Sequence, residues 1–299
     1  MSSDPKTGAA WRSEYPFEPH YLDVHGQRLH FVDSGSGPAV VMLHGNPTWS
    51  FMYRHLITGL APTHRAIAPD HLGCGLSDKP QTPACRLTDH IANLELLLND
   101  HLRLKRLSLV VHDWGGAIGM GYAVRHPERI EKIVVLNTAA FLLGRCPWRI
   151  RICKVPGFGT LAIRGLNGFA RAALTMAVGK GHRLDANARA GLLYPYDSWC
   201  NRVGTLRFVQ DIPLSSCHPT WDTIATIQKS LHLLADKPML ICWGGQDFCF
   251  NQNYLAVWQR YFPRAAVQRF ADAGHYVLED AHDRIVPAVQ GFLAETAAP

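Results

Sequence analysis

"VVHDWGGAIGM", residues 110–120, has the pattern of a sharp strand-to-helix turn that lifts a nucleophile clear of a sheet. The apolar run "LSLVV" leads into it, and small residues follow. Such a turn commonly carries serine at its tip, but here the tip is Asp113. Val111 replaces the first glycine of the serine pattern, while Gly115 keeps the second and lets the helix start pack closely. Taken alone, the stretch also reads as an aspartate capping an ordinary buried helix. Its companions along the chain decide between the two.

The run "PAVVMLHG" before His44 and Gly45 is continuously apolar, as a strand buried on both faces must be. "HRAIAPD", "LSLVVHD", "EKIVVLN", "PMLICWGG" and "AVQRFADAG" repeat that pattern. Helix-like stretches, "LTDHIANLELLLNDHL", "GGAIGMGYAVRHP" and "NQNYLAVWQRYF", lie between several of them. Ahead of this series, "YLDVHGQRLHFVDSG" reads as two strands around a His25-Gly26 turn. Alternating strands and helices imply an α/β fold, a mostly parallel sheet with helices on both faces. The alternation breaks between residues 139 and 231, where helical pieces such as "TLAIRGLNGFARAALTMAVG" are punctuated by prolines. This insertion reads as a helical cap (139–231) over a core made of 1–138 and 232–299. Open α/β sheets bind ligands at the carboxyl ends of their strands, so a cap there encloses a site.

Chemistry-bearing residues fall at those strand ends. His275, in "ADAGHYVLEDA", follows the last strand-like run, and Asp247 follows "PMLICWGG". Nucleophile, acid, histidine is the chain order in which one α/β architecture carries a catalytic triad. Asp272 and Asp280 are weaker candidates for the acid: the first is too near His275 in sequence, the second belongs to the following helix. The loop "HGNPTWSFMYR" supplies the last part. Backbone N–H groups of Asn46 and Trp114 are placed for an oxyanion hole, and their side chains add an amide and an indole donor for a leaving anion.

Composition bounds the alternatives. The 299 residues are 47% hydrophobic and 18% charged, a globular profile. No apolar run approaches the roughly 18 residues of a membrane span. "MSSDPKTGAAWRSEYPFEPH" lacks the basic start and apolar centre of a secretory signal and reads as a short mobile arm. The eight cysteines include no C-x-x-C pair, so reduced thiols in a cytoplasmic protein are expected. Sixteen histidines show no metal-ligand spacing, and neither metal nor cofactor is expected. The net charge of +6 is concentrated in the insertion. Arg145, Arg149, Arg151, Lys154, Arg164, Arg171, Lys180, Arg183, Arg189, Arg202, Arg207 and Lys229 lie there against Asp185, Asp197, Asp211 and Asp222. That is a solvated basic face, or a docking surface for an acidic partner or a membrane. No nucleic-acid motif accompanies it.

Together "HGNP", "HDWGG", "GGQD", "AGHYVLED" and "PDHLGCGLSDKP" resemble the haloalkane dehalogenase branch of the α/β-hydrolase superfamily, over essentially the whole chain. The resemblance implies that Asp113 attacks carbon, His275 activates water, Asp247 supports His275, and Asn46 and Trp114 hold the departing anion. Some dehalogenases carry the acid after the sixth strand, where this chain has Asn137, in favour of Asp247. Asp70 is a structural residue by the same likeness. "HGNPTWSFMYR", "VVLNTAAF" and "RGLNGFARAA" further resemble the β-lactone decarboxylases of bacterial long-chain olefin biosynthesis. Those act on a cis-β-lactone with two alkyl chains, releasing an olefin and carbon dioxide.

A carboxylate suits such chemistry. It arrives ionised, needs no base for its attack, and can displace an anion from saturated carbon. Halide and lactone carboxylate both qualify as that anion. Attack at the lactone carbonyl, giving an anhydride that His275 helps to hydrolyse, is the other route. The lactone implies long apolar chains in the cap, and a basic cap face that meets a lipid surface or another enzyme of olefin biosynthesis. Haloalkane dehalogenase is the competing activity. Epoxide hydrolase follows, with Tyr194 and Tyr196 as its cap tyrosines. A receptor with an idle triad comes last.

Overall fold

The computed structural model describes residues 10–82, 85–144 and 146–295. Arg145 and most of the N-terminal stretch ahead of Trp11 therefore lie outside the described residues. Eight strands form one sheet: β1 (Pro19–Val24), β2 (Gln27–Ser34), β3 (Ala39–Leu43), β4 (Arg65–Pro69), β5 (Leu107–Asp113), β6 (Ile130–Thr138), β7 (Met239–Gly244) and β8 (Ala266–Phe270). Their order is β1-β2-β4-β3-β5-β6-β7-β8. β2 pairs antiparallel with both β1 and β4, and every other pairing is parallel. His25 and Gly26, both at positive φ, make the tight β1–β2 turn that the sequence calls for.

The helices are α1 (Arg54–Leu60), α2 (Leu87–Glu95), α3 (Trp114–Arg125), α4 (Trp148–Ile152), α5 (Phe158–Thr160), α6 (Gly168–Met176), α7 (Ala186–Leu193), α8 (Val203–Asp211), α9 (Trp221–Ser230), α10 (Gln252–Tyr261) and α11 (Val277–Ala294). The strands read as continuous apolar runs because both faces are covered. Val41, Leu43, Leu109, Val111 and Val135 pack into one core, while Val40, Met42, Val110, Val134 and Leu136 pack into the other. The stretch from α5 to α6 is not one continuous helix. A wider-wound turn at Leu161–Gly165 and a left-handed Asn167 divide it.

The N-terminal stretch is a correction. From Trp11 onward it is no mobile arm: Trp11 is 3% exposed, and its ring lies 4.5 Å from Tyr194, 5.8 Å from Phe51 and 5.9 Å from Trp49. Arg12 donates to the Tyr194 hydroxyl, so this segment ties α7's end to the loop after β3. Trp11→Ala is expected to lower stability by ~3–5 kcal/mol, read as a drop in the urea midpoint with unchanged slope.

Candidate active site

Asp113 ends β5 and opens α3 at φ 49°, ψ −124°, a conformation that non-glycine residues adopt only when their surroundings impose it. One hydrogen bond holds it and two glycines leave room for it. Thr138 donates its hydroxyl to the Asp113 carbonyl. A Cβ at Gly115 would overlap the Leu43 carbonyl, so only glycine lets α3 start this close to β3. A Cβ at Gly45 would overlap the Asp113 carboxyl itself. The glycine missing at Val111 is compensated one turn into α3, where a Cβ on Gly119 would crowd the Val111 side chain.

The two carboxyl oxygens of Asp113 have different surroundings. Oδ1 accepts the backbone N–H of Asn46 at 2.8 Å, and the Trp114 N–H also stabilises the carboxylate. Oδ2 lies 3.6 Å from Nε2 of His275. Burial pushes the Asp113 carboxyl above the ordinary aspartate range, against the pull of His275 and the two N–H groups. For His275 burial works downward, but the carboxylates of Asp247 and Asp113 outweigh it and the pKa rises.

His275 Nδ1 is 2.8 Å from Asp247 Oδ2. Asp247 is held in turn by the N–H groups of Cys249 and Phe250 at 2.6 and 3.0 Å, and by the Asn137 amide at 3.0 Å. Asn137 also exchanges hydrogen bonds with Gly244, accepting its N–H at 2.7 Å and donating to its carbonyl at 3.1 Å. An amide at the end of β6 thus braces an acid at the end of β7. The Asn137 signal in the sequence pointed to the acid's location but not to this brace. His112, kept neutral by burial, bonds the His275 carbonyl through Nε2 at 2.8 Å. No spacing in the sequence marks this role for His112.

The other acids have different tasks. Asp280 does not simply extend into the following helix: its Oδ2 accepts the N–H groups of Gly179 and Gly274, each at 2.7 Å. It clips the insertion to the loop that carries His275. Asp272 pairs with Arg284 at 2.8 Å on the surface. Asp70 is fully buried and serves His30 and the N–H groups of Ser50 and Leu76. Burial would raise its pKa, but His30 holds it well below the usual carboxylate range.

Asn46 departs in part from its expected role. Its amide nitrogen donates one hydrogen to the Thr205 carbonyl at 3.2 Å, which fixes the amide plane and leaves one hydrogen for a ligand. Trp114 stands beside Asp113 in the cavity wall. Neither tyrosine of the epoxide reading lines that wall. Tyr196 is fully buried and donates to the Thr48 carbonyl at 3.3 Å, while Tyr194 is engaged with Arg12 and Trp11.

Two cavities of about 150 and 220 Å³ share the lining residues Asp113, Trp114, Ile150, Ile212 and Cys249. The first runs past Phe141, Leu142, Leu143, Ile224 and Tyr254. The second runs past Ile152, Phe158, Ala162, Phe169 and Met176, with Asn46 and His275 at its inner end. Both are mainly hydrocarbon-walled, so the site is a carboxylate at the junction of two apolar arms. Among the described residues no cluster of three or more His, Cys, Asp or Glu is arranged to hold a metal ion. No described helix is long and apolar enough to cross a membrane.

The family model for the alpha/beta hydrolase fold matches residues 38–176 and 189–282. A cis-3-alkyl-4-alkyloxetan-2-one decarboxylase of Shewanella oneidensis is 46% identical over 94% of this chain and 90% of its own length. One of Xanthomonas campestris pv. campestris is 42% identical, covering 93% and 97%. Among solved structures, the haloalkane dehalogenase DbeA of Bradyrhizobium elkani superposes with a TM-score of 0.84 at 25% identity, covering 93% of this chain and 98% of that one. The chain thus belongs to the α/β-hydrolase fold family, in the branch shared by these decarboxylases and the haloalkane dehalogenases.

Proposed function

We propose that this protein decarboxylates a cis-β-lactone bearing two long alkyl chains, giving an olefin and carbon dioxide, with Asp113 as the nucleophile. The observation that carries the reading is the pair of apolar arms diverging from one carboxylate. A four-membered lactone at Asp113 projects two chains, and each arm receives one. Residues 139–231 act as the cap that walls both arms.

The placement of donors favours attack at the ring carbon that bears oxygen. The Asn46 N–H donates to Oδ1 of Asp113 and the Trp114 N–H to the same carboxylate, so neither is available to an oxyanion formed on a lactone carbonyl. Attack through Oδ2 breaks the ring C–O bond and leaves an alkyl ester of Asp113 and a carboxylate. The spare Asn46 hydrogen and the Trp114 indole N–H receive that carboxylate. Inversion at the attacked carbon sets the ester oxygen opposite the carboxylate. Loss of carbon dioxide then moves its bonding pair into the new C=C bond and expels Asp113, with the alkyl groups cis. No water or base is consumed.

Hydrolysis of bromoalkanes is the second reading, favoured by His275 beside Oδ2 and by the N–H pair on the Asp113 carboxylate. Water driven by His275 would add to an Asp113 ester, and that pair would hold the oxyanion. Offering a synthetic dialkyl β-lactone and a long bromoalkane side by side tests the choice. Olefin formation well above bromide release supports the decarboxylase, and the reverse overturns it. All eight cysteines are free thiols, which supports a reducing, cytoplasmic setting.

The two reactions are expected to separate by pH. Attack needs ionised Asp113, whose raised pKa moves the acid limb of decarboxylation above the ordinary value of about 3.9. Hydrolysis needs neutral His275, whose raised pKa makes bromide release fail below a point above about 6.5. Profiles of kcat/KM against pH should therefore show olefin formation persisting to lower pH than bromide release.

A further inference from the structure

The second arm ends among side chains that water should not be left to cover. Its wall residues Ile152, Phe158 and Met176 are 42, 49 and 37% exposed, so the arm reaches the surface where they stand. Beside them Trp148, Leu161 and Leu166 are 68, 60 and 66% exposed. Trp148 and Ile152 share α4, and Leu161 opens and Leu166 closes the wider-wound turn after α5. Arg149 lies over the Trp148 ring at 5.2 Å and lines the same arm. Leu161 and the Trp199 ring flank Gly165, and Arg164 covers Trp199 at 4.7 Å.

Charge gives the patch a sign. No acidic residue occurs between Glu131 and Asp185, whereas Arg149, Arg151, Arg164 and Arg171 all fall there. Arg151 and Arg171 are exposed. Guanidinium groups interleaved with protruding apolar side chains match the headgroup layer of an anionic bilayer, which offers phosphates outside and hydrocarbon beneath. A protein partner would also need acidic groups, but the open alkyl arm favours the bilayer. A chain entering from water carries a penalty that grows with each methylene, and one entering from hydrocarbon does not.

We infer that the face formed by Trp148, Leu161, Leu166 and the arginines around them docks the protein on an anionic lipid surface, with the mouth of the second arm turned to the acyl chains. The purpose of the contact rests on the lipophilic substrate proposed above, but the contact itself is measured without substrate. Full-length protein is sedimented with vesicles of phosphatidylcholine alone, or with about a third phosphatidylglycerol. Binding is expected only to the anionic vesicles, and it should be lost in concentrated salt. Trp148→Ser/Leu161→Ser/Leu166→Ser and, separately, Arg151→Glu/Arg171→Glu are expected to weaken partition about tenfold or more. Both should keep native turnover of a short-chain, water-soluble dialkyl β-lactone, which reports an intact site. Failure to bind anionic vesicles, or undiminished binding by both variants, overturns the inference. So does capture by a protein partner that both variants abolish while vesicle binding persists. If vesicle binding behaves as expected but the lactone is not turned over, the docking face stands and the proposed reaction falls.

Discussion

Asp113→Asn is expected to lower kcat/KM on the order of 10⁴-fold or more for lactone and bromoalkane alike, with the fold and apolar ligand binding retained. The substitution is nearly isosteric. Asparagine tolerates the φ of 49° at the elbow and its Oδ1 can still accept the Asn46 N–H, so the turn and the hole survive. What disappears is the negative charge and lone-pair reactivity of Oδ2 in the junction of the two arms. A receptor with an idle triad would lose nothing by this change. Steady-state assays, with a melting curve to verify the fold, read the difference.

His275→Gln is expected to divide the two reactions. Bromoalkane hydrolysis should stop after one bromide per protein molecule, because the Asp113 ester forms without a base and then waits for activated water. Multiple turnover should fall by about 10³-fold or more. Olefin formation from the lactone should stay within roughly tenfold of native, since ring opening and loss of carbon dioxide need no proton transfer to His275. A collapse of both activities to the same degree would instead show that His275 takes part in ring opening or in the loss of carbon dioxide. Turnover in labelled water gives an independent reading: attack at the ring carbon leaves the Asp113 carboxyl unlabelled, whereas hydrolysis of an anhydride formed at the lactone carbonyl would label it and yield a β-hydroxy acid in place of the olefin.

Much of this arrangement could be read from residue order. The parallel strands declare themselves because burial on both faces forces runs such as "AVVML" and "IVVL", and the candidate triad residues end β5 or follow β7 and β8. The sequence was less informative wherever a contact uses the backbone or joins distant segments. The Thr205 carbonyl that fixes Asn46 is 159 residues away and leaves no side-chain signature. Asn137 looked only like the absence of an acid, although it braces Asp247 and Gly244. Trp11 sat in a polar, proline-bearing stretch without periodicity, and its burial comes from Tyr194, Phe51 and Trp49. The two arms were invisible for a similar reason. Their walls combine residues from β6's end, α4 to α6, α8 and α10's approach, and a cavity is a property of packing, not of any one segment.

The most direct test of Asp113 as a covalent nucleophile is the intact mass of His275→Gln protein after exposure to a long-chain bromoalkane, followed by peptide mapping. One alkyl group should be gained per chain, as an ester on the peptide containing Asp113. Unmodified protein, or an alkyl group on Cys249 or any other residue with Asp113 free, would contradict it.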